Sequence, residues 1–185
     1  MFSLSPALAH VPIEGWGDFA NGAVHPLLSP SHLLVIAGLA LLLGQQVPLK
    51  VKSPMLFFAS AAAASLALAV TGLFPEIPPP VIAALALCLG ALVTIARPPP
   101  RHVIHGLCAV AGFILGIDSE VETGAVFAIA QTLAGTWLCL LLLTGYITLA
   151  SSNAAGKPIA ANAIRILGSW IVAISLLTLA FSLRG

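Results

Sequence analysis

Gly22-Ala23-Val24-His25-Pro26-Leu27-Leu28-Ser29-Pro30-Ser31-His32-Leu33-Leu34 sets two histidines, two prolines and two serine hydroxyls at the mouth of a long apolar run. Pro30 has no backbone N–H to donate, so it fits best in the first turn of a helix. Ser29 before it is a natural N-cap. A regular helix is therefore expected from near Pro30, with Ser31 and His32 in its first turn. His25-Pro26 is expected in a turn or short broken helix just outside. His25 and His32 are seven residues apart, about two turns, so on an unbroken helix they would share a face. Unpaired N–H groups at a helix start, two imidazoles and two hydroxyls together make a polar nest at a membrane edge.

Composition says what surrounds that nest. Of 185 residues, 59% are hydrophobic and 7% are charged, and the mean hydropathy is +1.09. Soluble domains carry roughly 25% charged residues, so the expected class is an all-α polytopic membrane protein whose first partner is the lipid bilayer. The formal net charge of +1 gives nucleic acid nothing to bind. Cys88, Cys108 and Cys139 all lie in apolar runs without a C-x-x-C pair, so neither a disulfide framework nor a zinc site is expected.

Six apolar spans predict a bundle of about six transmembrane helices: 30–47, 54–74, 80–96, 102–117, 124–150 and 159–183. The fourth has only sixteen residues, against the roughly 17–25 of a spanning helix. It is expected to end early or to be tucked inside the bundle. The chain accordingly divides into an exterior or interfacial segment, 1–24, and a six-helix domain, 25–185. Ala7-Leu8-Ala9 resembles a signal-peptidase site, but the residues before it lack a basic start and are too few for an apolar core. Trp16 and Phe19 read as an interfacial anchor.

With six spans, Lys50, Lys52, Arg97, Arg101, Lys157 and Arg165 fall on one side. Glu14, Asp18, Glu76, Asp118, Glu120 and Glu122 fall on the other. The excess of Lys and Arg marks the inner face. Both termini are then outside, in the periplasm if the membrane is a bacterial inner membrane. The His25/His32 nest and the acidic loop at Asp118 share that outer face, where an entering cation would meet both.

The opening stretch resembles the first signature, roughly G-x-x-H-P-x-x-G-x-D-H-L-L, of the HupE/UreJ family of membrane proteins. Gly22, His25, Pro26, His32, Leu33 and Leu34 match, while Ser29 stands where Gly is expected and Ser31 where a metal-binding Asp is expected. The family's second signature, roughly H-G-x-A-H-G-x-E, aligns with Ala111–Asp118. Gly112 and Gly116 are kept, Asp118 replaces the Glu, and Ala111 and Leu115 stand in place of histidines. Gly124 through Gly135 is similar to the family's fifth helix, with Leu133 at a histidine position, and Arg165-Ile166-Leu167-Gly168 is similar to the start of its last helix. The resemblance implies nickel or cobalt uptake linked to hydrogenase or urease. It also implies His25, His32 and Asp118 as the metal-binding residues. Imidazole suits nickel, copper or zinc.

The other polar residues have plainer readings. His102 and His105 share a helix face beside Arg101, on the basic side, where headgroup or loop contacts are expected. Gln131, Thr132, Thr136 and Thr144 are expected to make interhelical hydrogen bonds. Gly112 and Gly116, four apart, should form a tight packing face. No span has a central Asp, Glu, Lys or Arg, which argues against a proton-coupled pump. There is no P-loop, no dinucleotide fingerprint and no nucleophilic triad. The expectation is a protein that is not an enzyme: a divalent transition-metal permease or delivery protein. The alternative is a non-transporting accessory subunit of a larger membrane complex, and a hydrolytic metal centre at the same residues is the third reading.

Overall fold

The computed structural model describes residues 15–46, 48–75, 77–97, 99–119 and 124–182. Those residues form seven helices and no strand: Asp18–Leu28 (α1), Pro30–Gly44 (α2), Lys52–Ala69 (α3), Pro79–Ile95 (α4), Arg101–Ile117 (α5), Val126–Ala155 (α6) and Pro158–Ser182 (α7). The all-α expectation holds. Ala7-Leu8-Ala9, Glu14, Glu76, Glu120, Glu122 and Arg184 lie outside the described residues.

Prolines open three of the seven helices. Pro30, Pro79 and Pro158 open α2, α4 and α7, where a missing N–H costs nothing. Ser29 does stand at the N-cap of α2, but its hydroxyl makes no capping bond and instead lies 3.0 Å from the Ser31 hydroxyl.

α2 is the axis of the bundle. Ten of its fifteen residues are buried, and they lie all round the helix, as the unbroken apolar run from Leu33 to Leu43 requires. Around it, α3 packs mainly on α5, α4 on α7 and α1 on α6, while α4 and α6 also flank α2 directly. The core residues Val35, Ile36, Leu39, Leu42 and Leu43 of α2 meet Phe58, Leu89, Val93, Leu115 and Leu140 of its neighbours.

Small residues let these helices approach. A Cβ placed on Gly112 would run into the Phe58 carbonyl, and one on Gly116 into Ser65 and the Ala62 carbonyl. The expected Gly112/Gly116 face is therefore the α3–α5 seam. Ser65 reinforces it, donating to the Gly112 carbonyl at 3.3 Å. Gly168 meets Val93 and Thr94 in the same way, joining α7 to α4.

Three helices, α3, α6 and α7, are long and apolar enough to cross a membrane, and α1 with α2 qualifies as one span bent by 75°. α4 and α5 are apolar but have 17 residues each, the lower limit for crossing. Three to four of the six expected crossings thus qualify by length and composition. The short fourth span is α5, lodged against α3.

The glycine seam gives a direct check. Gly112→Val should lower stability by about 1–3 kcal/mol through overpacking. Gly106→Val on the same helix, where an added Cβ meets nothing within 4 Å, should leave it almost unchanged. Thermal unfolding of both variants in one detergent compares them.

Candidate functional site

The nest around His25 and His32 is built by a helix that the sequence does not announce. α1 runs from Asp18 through Leu28 and crosses residue 24, so His25 and Pro26 are helical. His25-Pro26 was expected in a turn or short broken helix, and it occupies the broken helix. Pro26 cannot donate to the Gly22 carbonyl one turn back. The Thr136 hydroxyl of α6 supplies that missing bond, donating to the Gly22 oxygen at 2.9 Å.

The same face of α1 fits closely against α6. A Cβ on Gly22 would strike the Thr132 carbonyl, and one on Gly135 the Phe19 carbonyl. Thr132 donates to the Asp18 carbonyl at 3.3 Å. Thr132 and Thr136 thus make the expected interhelical bonds. The Thr144 hydroxyl is buried without a partner. With α1 held on α6 and α2 in the centre, the chain turns 75° at Ser29, where the backbone is extended.

That turn brings the expected site residues together. His25 and His32 stack edge to face, with ring centroids 5.6 Å apart. His32 is 1% exposed, and its Nε2 lies 2.8 Å from Asp118 Oδ2 across 86 residues of sequence. A carboxylate oxygen accepts, so the imidazole donates its Nε2–H. The other ring nitrogen, Nδ1, is then left as a buried polar atom with no partner.

Asp118 is 22% exposed, so it is not simply part of a solvated loop. It caps the end of α5, an unfavourable place for negative charge on its own helix. It faces the first turn of α2, whose N-terminal dipole favours it. Glu120 and Glu122, which sequence grouped with it, lie outside the described residues.

The residues at the three lost-histidine positions are apolar in place as well as in sequence. Ala111 and Leu115 are fully buried in the core, and Leu133 is half-buried on α6. Among the described residues, no group of three or more His, Cys, Asp and Glu side chains is close enough to hold a metal ion. Three free cysteines, with Cys108 buried, add no ligand to the elbow.

The orphaned Nδ1 and the Asp118 contact were invisible to sequence reasoning. The expected shared outer face of His32 and Asp118, and the family resemblance that set them in one site, hinted at their meeting.

A family model described as HupE / UreJ protein matches residues 1–178. Nothing among curated proteins or among solved structures matches the chain.

The Thr136–Gly22 bond is expected to be worth about 1 kcal/mol, in the range of interhelical hydrogen bonds in membranes. Thr136→Val should cost that much in the native chain and much less in a Pro26→Ala background, where residue 26 regains its own N–H. A double-mutant cycle on unfolding free energy measures the difference.

Proposed function

The chain belongs to the HupE/UreJ family, and on that premise we propose that it is a permease or delivery protein for a divalent transition metal ion. Nickel or cobalt is the first candidate from the family, and copper or zinc is admitted by imidazole chemistry. The ion is cargo, taken at the elbow between α1 and α2. The protein works in a bacterial inner membrane with both termini outside, among lipids and other membrane subunits, and is not an enzyme.

The observation that supports this most is the state of His32. Its Nε2–H is committed to Asp118 and its buried Nδ1 has no partner. A carboxylate that accepts from one ring nitrogen fixes the tautomer and leaves a lone pair on the other, the usual arrangement behind a metal-binding histidine. In this reading His32 is the ligand and Asp118 is a positioning residue, not the direct ligand suggested by sequence. His25, edge-on at 5.6 Å, is the second imidazole at the mouth. Ser29 and Ser31, whose hydroxyls pair at 3.0 Å, offer only neutral oxygen where the family signature has a carboxylate.

A second reading is favoured by the apolar residues at the family's other histidine positions. Ala111 and Leu115, fully buried, cannot relay a cation along α5. A non-transporting accessory subunit would keep the bundle and the elbow while losing transport.

Radiolabelled nickel and cobalt uptake by cells expressing the full chain separates the two. His32→Ala should abolish uptake. Asp118→Asn should weaken it by about 10–100-fold, the usual effect of losing the group that orients a ligand. Uptake no higher than in cells lacking the chain, together with stable co-purification of a membrane partner, would establish the accessory role instead.

A further inference from the structure

A second polar site lies at the opposite end of the bundle, beyond the end of α2. There an open cavity of about 460 Å3 is lined by Gln46, Lys50, Lys52, Ser53, Arg101 and His105. It is built by the starts of two parallel helices. Ser53 Oγ lies 3.1 Å from His105 Nε2, and Phe57 stacks on the His105 ring at 4.7 Å. Further along, Phe58 and Ala62 meet Gly112, and Ser65 meets Gly116. α3 and α5 therefore advance side by side in the same direction, and both present their N-terminal ends to the cavity.

Each helix start carries the positive end of its dipole. Each also has a basic residue in its first turn, Lys52 or Arg101, and no acidic one. This reverses the usual preference for acids at helix N-termini. Asp118 is at the other end of α5, about 25 Å away for a helix of this length, and is bonded to His32. The remaining described acid, Asp18, begins α1 and belongs to the α1–α6 contact. Three basic side chains and two helix ends thus converge with no carboxylate among the described residues to balance them. Gln46, on the same wall, adds a polar side chain without a carboxylate's charge.

We propose that this cavity binds a phosphate-bearing anion. A tetrahedral phosphate offers several acceptor oxygens in different directions. It can take Lys50 and Lys52 as point charges and Arg101 as a forked donor at once. A carboxylate holds its two oxygens in one plane and so matches fewer of those directions. The phosphate can come from a diacyl phospholipid headgroup or from free phosphate. The lipid source fits the position better. α3 is a candidate membrane span, so its start stands at headgroup depth, and Leu49 and Ile104 on the cavity wall give apolar surface to the first acyl methylenes.

Native mass spectrometry of the full chain in detergent tests this, with titrated dioleoyl phosphatidylglycerol against dioleoyl phosphatidylcholine. Equilibrium dialysis with radiolabelled orthophosphate runs beside it. One phosphatidylglycerol should bind at least tenfold more tightly than phosphatidylcholine. The combined Lys50→Gln, Lys52→Gln, Arg101→Gln variant should lose that preference, whereas Lys157→Gln, outside the cavity, should keep it. Arg101→Lys alone, which keeps the charge but not the fork, guards against a folding defect and should weaken binding while keeping the preference for phosphatidylglycerol. Saturable orthophosphate binding without lipid preference, lost in the triple variant, would also support the anion site and assign it to free phosphate. No saturable binding of either probe, or equal loss in Lys157→Gln, overturns the proposal.

Discussion

A carbonyl group cut off from water must find a donor within the protein, and at Gly22 that requirement shapes the molecule. Pro26 takes away the donor that an ordinary helix would supply, and Thr136, 114 positions later, returns it. The bond ties α1 to α6, and glycines on both helices let their backbones touch. Once α1 is fixed to α6 and α2 is buried in the centre, Ser29 can only be a bend. The bend, in turn, presents His25 and His32 to each other and His32 to Asp118. The candidate site is thus a consequence of a backbone accounting problem solved by one hydroxyl.

The bundle is electrically polarised along α5. Arg101 begins that helix, and Asp118 ends it. Both are at the end that their own helix dipole disfavours, so each depends on something outside its helix. Asp118 has the N-terminal turn of α2 and the His32 ring. Arg101 faces an open cavity with other basic groups. One end of the helix is internally compensated, and the other looks outward for its counter-charge.

The sequence disclosed the helical class, the start of α2 at Pro30 and the use of Gly112 and Gly116 as a packing face, because each rests on short-range chemistry. It hid α1. Pro26 and the small residues around Asn21 and Gly22 look like a turn when the donor that rescues the helix is more than a hundred residues away. Length alone could not show whether α4 and α5 reach across a bilayer, since apolar composition at 17 residues serves equally for a short span and a buried helix. At the site, the family resemblance pointed to His25, His32 and Asp118 as a set. The pairing of one imidazole nitrogen, and the isolation of the other, depends on side-chain directions that no spacing rule supplies.

The helices also differ greatly in reach. α6 has 30 residues and α7 has 25, while α4 and α5 have 17 each. At about 1.5 Å per residue, these reach roughly 45, 37 and 25 Å, against a hydrocarbon core of about 30 Å. Two helices therefore exceed that thickness and two fall short of it. Where a short helix crosses a bilayer the lipids beside it must thin, where a long one crosses it must tilt, and either adjustment costs fractions of a kcal/mol per Å. Acyl-chain length then becomes a variable of the protein's own geometry. A membrane of shorter or more unsaturated chains would match α4 and α5 more closely while leaving more of α6 projecting into water.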